Sequence, residues 1–154
     1  MFFDAEIEGT FIYRYFTLDD TKPIIESNYS SNFDDKSQKF GHLNCRPLEY
    51  YFEAIKIDVD ISGYYMLSSD SDLDTYGYLY EHEFDFYSSV ESSLSWDDDY
   101  CENRQFSIST YLHYNTTYVL IVTISPNELY INMQGPFSVI AKGPSEINMK
   151  RIGM

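Results

Sequence analysis

The chain has 154 residues, a length that suits one domain, and 44% of them are hydrophobic, too many for a disordered chain. With 10 basic against 25 acidic residues the formal charge is -15. That balance argues against phosphate-backbone recognition, which needs a basic face, and against anionic membranes, so neither a nucleic-acid partner nor membrane insertion is expected.

The composition also carries 16 Tyr and 11 Phe, and aromatic residues favour strands because they fit a pleated, half-buried surface. Residues 1–9, MFFDAEIEG, have acids where a signal peptide has Lys or Arg, and no apolar run. The chain is therefore expected either to stay inside the cell or to be one piece of a longer secreted protein. Residues 10–18, TFIYRYFTL, form the first expected strand. Residues 19–39 are polar, with Pro23 and repeated Ser and Asn, and read as a long loop. The expected division is an N-terminal strand plus loop over 1–44, a β-domain over 45–144, and a tail over 145–154.

Within the β-domain, residues 51–61 alternate, with Ile55, Ile57, Val59 and Ile61 on one face and Lys56, Asp58 and Asp60 on the other. Ser62-Gly63 reads as a tight turn into a second strand over 64–69, the two forming a hairpin. A third strand is expected over 72–80. Residues 81–99 are irregular and acidic. Residues 104–113 alternate again, with Phe106, Ile108 and Leu112 inward, and Asn115-Thr116 make a turn. Residues 118–124 are apolar on both faces, which places them centrally in a sheet covered on two sides. That run is too short to span a bilayer, which needs about 20 residues. Residues 135–141, GPFSVIA, are the last expected strand. Short strands with turn signals between them, and no helical stripe, define an all-β antiparallel sandwich.

The stretch SDSDLDTYGYLY, residues 69–80, carries the most chemistry. Asp70, Asp72 and Asp74, with Asp97, Asp98 and Asp99, can supply the oxygens of a calcium site, which needs six to eight. An EF-hand is excluded, because Thr75 stands where its sharp turn needs Gly. The competing reading is a solvated acidic edge that discourages strand pairing. Tyr76, Tyr78 and Tyr80 would line one face, either as a ligand platform or packed against other strands, and packing is the commoner use of such rings. Trp96, beside three aspartates, is a candidate exposed aromatic. Cys45 and Cys101 can form one disulfide or remain two thiols. Asn28-Tyr29-Ser30 and Asn115-Thr116-Thr117 fit the glycosylation sequon. GxSxG, HExxH, P-loop and GxGxxG motifs do not occur, and His42, His82 and His113 share no metal-ligand spacing, so an enzyme is not expected.

The order of these pieces resembles a known family. An acidic strand over 72–80, the cluster Asp97-Asp98-Asp99, the strands over 105–112 and 117–122, and GPFSV at 135–139 look like the pre-peptidase C-terminal domain, an accessory module of secreted bacterial proteases. YYFEAI, DTYGYLY and GPFSVIA also resemble modules of large extracellular proteins of bdelloid rotifers. The resemblance covers roughly residues 47–144. It implies a jelly-roll-like β-sandwich of about eight strands with no catalytic chemistry, and points to Asp72, Asp74 and Asp97–Asp99 as the calcium ligands. The implied function is an extracellular or cell-surface accessory module that binds or adheres to a protein or carbohydrate, as part of a larger chain. The alternative is a structural spacer with no ligand.

Overall fold

The computed structural model of the protein describes residues 22–41, 48–82, 104–126 and 130–153, and the strand at 95–97, of which Trp96 and Asp97 are described in backbone only. The strand expected over 10–18 and both cysteines lie outside the described residues. Ten strands are present among those described: β1 (Ile25–Phe33), β2 (Gln38–Phe40), β3 (Tyr50–Val59), β4 (Gly63–Ser71), β5 (Thr75–Glu81), β6 (Ser95–Asp97), β7 (Ser107–Leu112), β8 (Tyr118–Ile124), β9 (Gly135–Gly143) and β10 (Ile147–Ile152).

Eight of the strands pair as a nested ribbon, β1 with β9, β3 with β8, β4 with β7 and β5 with β6, all antiparallel. Rolling that ribbon places β1-β9-β4-β7 in one sheet and β3-β8-β5-β6 in the other, which is the jelly-roll sandwich. The expected fold class is therefore the one the chain adopts. The two strands outside this ribbon, β2 and β10, share the remaining edge of β3: β2 pairs with residues 50–52 and β10 with residues 54–59.

The core lies between the sheets and follows period-two burial. Ile55, Ile57 and Val59 of β3 and Leu120, Val122 and Ile124 of β8 meet Tyr65 and Leu67 of β4 and Phe137, Val139 and Ala141 of β9. Each fully buried Leu, Ile or Phe contributes ~1.5–3 kcal/mol relative to exposure. Phe106, Ile108 and Leu112 point inward as their spacing predicts. Contact is tight where two glycines sit. A Cβ at Gly77 would lie 2.8 Å from the Phe106 ring, and one at Gly143 would lie 2.1 Å from the Tyr65 ring.

All seven residues of β8 are buried, because the outer face of its sheet is packed too. There Phe52, Ala54, Tyr78, Tyr80, Val119 and Ile121 form a second apolar cluster, with Phe40, Tyr76 and Ile152 against it.

Four expectations are corrected. The polar stretch 19–39 is not all loop, because it contains β1 and β2. β1 turns Ile25, Ser27, Tyr29, Ser31 and Phe33 inward, so every second inward residue is a serine and the apolar signal is halved. The tail over 145–154 contains β10, so the sandwich extends on both sides of 45–144. The strands on either side of Ser62-Gly63 do not form a hairpin. β3 already has partners on both edges, and β4 crosses to the other sheet to pair with β7 and β9. The Tyr65 hydroxyl secures this crossing by donating to the Ile61 carbonyl at 2.7 Å and lying 2.7 Å from the Ser145 hydroxyl. Last, residues 72–80 are not one strand, because Asp72, Leu73 and Asp74 form the crossover from β4 to β5.

Candidate functional site

The acidic crossover is built around a buried residue. Leu73 is 6% exposed, and its amide donates to the Ser71 hydroxyl at 3.0 Å. The Gln105 side-chain amide donates to the Ser71 carbonyl at 3.0 Å and to the Leu73 carbonyl at 2.9 Å. Below it the Ser69 and Thr75 hydroxyls lie 2.6 Å apart, and Ser69 accepts from the Phe106 amide at 3.1 Å. This network joins the two sheets and fixes the turn. It also separates the aspartates: Asp70 stands on β4 opposite Ser138, Asp72 is at the exposed tip, and Asp74 leads into the other sheet. The three carboxylates therefore do not share a strand face. Among the described residues no group of three or more His, Cys, Asp or Glu could hold a metal ion, and Asp70, Asp72 and Asp74 alone do not make a calcium shell of six to eight oxygens. Asp97 stands opposite Gly77 in backbone register, its side chain outside the description along with Asp98 and Asp99.

The tyrosines of β5 are packed. Tyr76, Tyr78 and Tyr80 do share one face, but Tyr78 and Tyr80 are each 2% exposed. The Tyr76 and Tyr78 rings stack at 4.7 Å, and Phe40 meets Tyr78 edge-on at 6.2 Å. Burial raises the Tyr80 phenol well above its ordinary value. These rings are not an open platform. The side chain of Trp96 lies outside the described residues.

The open face lies on the opposite side of the molecule, on the outside of the four-stranded sheet. Its rows follow from strand register: Glu26, Lys142, Met66 and Ser109 in one, Asn28, Ile140, Ser68 and Ser107 in the next, then Ser30, Ser138 and Asp70. Short hydroxyl and amide side chains dominate. The charged groups in these rows are Glu26, Asp70 and Lys142, two carboxylates against one ammonium, and Lys142 pairs with Glu26 at 3.7 Å.

One end of this face is aromatic. Tyr64 and Tyr111 are directly opposite each other, ring centroids 5.1 Å apart and perpendicular at 88°. The His113 ring lies 4.9 Å from that of Tyr111. Tyr111 is 40% exposed, and Ile61 and Tyr114 on the adjoining turns are 52% and 63% exposed. The Tyr114 amide donates to the Ser62 hydroxyl at 2.7 Å, which holds the two turns together. Both sequon asparagines, Asn28 on β1 and Asn115 in the turn after β7, are exposed.

Sequence reasoning missed one cluster altogether. Glu53 occupies an inward position of β3 and is 3% exposed. It accepts hydrogen bonds from the Tyr29 and Ser31 hydroxyls of β1, the second at 2.8 Å, and pairs with the Arg151 Nε of β10 at 3.4 Å. Burial first, then the hydrogen bond to Glu53 and its charge, push the Tyr29 phenol up to about 12. A phenol held so firmly protonated is a poor base or nucleophile near neutrality. The cluster clasps the edges of the two sheets. Its signal in the sequence was an acid at an inward register of an alternating strand.

No protein-family model matches the chain, and a search of curated proteins finds no match. The fold and the two unequal outer faces thus define the class on their own: among the described residues, a jelly-roll sandwich with one sheet packed on both sides and the other open on its outer side. Among the described residues no helix is long and apolar enough to cross a membrane.

Proposed function

We propose that this protein is a non-catalytic binding or adhesion module, working outside the cell or on its surface as part of a larger chain, in the manner of the pre-peptidase C-terminal modules it resembles. The observation that carries this reading is the asymmetry of the sandwich. The outer face of one sheet is filled with Phe52, Tyr78, Tyr80 and Ile121, whereas that of the other presents serines, asparagines and the exposed Tyr111 against Tyr64. Residue types that combine adaptable hydrogen bonding with rigid aromatic contact suit recognition. The exposed sequon asparagine of the turn after β7, Asn115, supports the extracellular placement.

The test is a plate assay with immobilised matrix proteins and polysaccharides, comparing wild type with Ser107→Arg, which plants a long cation on the open face. Binding that the substitution abolishes supports the reading. Absence of binding to every surface assigns the chain to the other class, a spacer. Calcium enters the proposal through Asp72 and Asp74 together with Asp97–Asp99. A rise in Tm at millimolar calcium, lost in Asp72→Asn with Asp74→Asn, would establish it; a site at 100 times its Kd adds about 2.7 kcal/mol.

A further inference from the structure

We infer that the outer face of the four-stranded sheet binds a neutral polysaccharide, with Tyr111 as its stacking platform. The inference rests on the binding-module reading and names the ligand class.

Charge argues first. The molecule carries -15, whereas the rows of this face carry two carboxylates and one ammonium, two of them paired together. An anionic polymer would be repelled by the molecule as a whole. A cationic partner would find stronger attraction elsewhere on the surface.

Side-chain chemistry argues next. A stable protein interface centres on a contiguous apolar core. Here the middle rows are Asn28, Ser68, Ser107, Ser30, Ser138 and Asp70, with Ile140 the apolar residue among them. Serine hydroxyls both donate and accept, and asparagine amides do the same. They match sugar hydroxyls, which also do both.

Shape and position complete the case. Four strands span about 14 Å, and the nine residues of β4 about 30 Å, enough for an extended chain of several sugars. At one end Tyr111, braced by the perpendicular Tyr64 ring and by His113, offers an aromatic surface to the apolar side of a pyranose ring.

The experiment is native affinity electrophoresis in gels cast with mannan, xyloglucan or mixed-linkage β-glucan, and in parallel with alginate or heparin. Wild type is expected to be retarded by at least one neutral polymer. Tyr111→Ala should weaken that retardation about fivefold in apparent Kd, and Ser107→Arg should abolish it. Asn148→Ala, on the outward side of β10, should leave it unchanged. Melting curves confirm that each variant is folded. Retardation by the anionic polymers alone, or equal retardation of wild type and both face variants, overturns the inference. Binding to an immobilised matrix protein that Ser107→Arg abolishes, without retardation in any gel, overturns the polysaccharide and leaves the binding module standing. No binding in either assay overturns both.

Discussion

At the scale of single residues, Glu53 of β3 ties together side chains from β1 and β10. Two hydroxyls from β1 and a guanidinium from β10 converge on one buried carboxylate. Removing it strands two part-buried hydroxyl donors, which costs more than the bond itself was worth. Arg151 is half solvated and can turn to water, so the expected loss for Glu53→Ala is about 2 kcal/mol, read as a lower urea midpoint with an unchanged m-value. Tyr29 gives the cluster a pH signature. Its phenol is raised from 10.0 to about 12 in the folded chain. The contribution is therefore complete below pH 10, where both states are neutral. It declines as the unfolded chain alone ionises, and is gone once pH passes the folded value. Tyr65 and Tyr80 are shifted in the same direction, each chiefly by burial. Tyr29→Phe should lower stability near neutrality and flatten its fall between about pH 10 and 12. Urea midpoints of both proteins across that range measure the difference.

At the scale of elements, strands were legible where local pattern and final environment agree. β8 announced itself because residues apolar on both faces need cover on both, and β3 and β7 did so through alternation. β1 was not legible because Ser27 and Ser31 point inward, and their reasons for doing so are Ile147 and Glu53, distant in sequence. β10 was hidden by its adjacent charges, Lys150 and Arg151. Whether Ser62-Gly63 closes a hairpin or carries the chain across the sandwich depends on which edges of β3 are already taken, and no local residue encodes that. The same limit hid the open face. Tyr64 and Tyr111 are ordinary tyrosines until the register sets them side by side. The elements should also differ in local stability. Amide exchange is expected to be slowest at Leu120, Ile121 and Val122 of β8, buried and paired on both edges. It should be fastest in the three-residue strands β2 and β6. Slower exchange in β2 than in β8 would contradict this ordering.

At the scale of the whole molecule, β1 and β10 run in the same direction along the side where Glu53 joins the sheets. Ile25 begins β1 beside Gly143, at the end where Ile147 begins β10, and Ile152 ends β10 at the far end of that six-residue strand. A pull applied to Ile25 and Ile152 would therefore drag the two strands lengthwise in opposite senses. Their ladders would be loaded in shear, with every bond sharing the force, instead of being peeled open one bond at a time. The Glu53 clasp lies across that line of stress. Forced unfolding reports the unfolding rate, so stretching by Lys22 and Gly153 should demand a high rupture force that falls in Glu53→Ala. A rupture force unchanged by that substitution would show that the clasp bears none of the load. Folded this way, the sandwich would meet tension between Ile25 and Ile152 in its most resistant geometry.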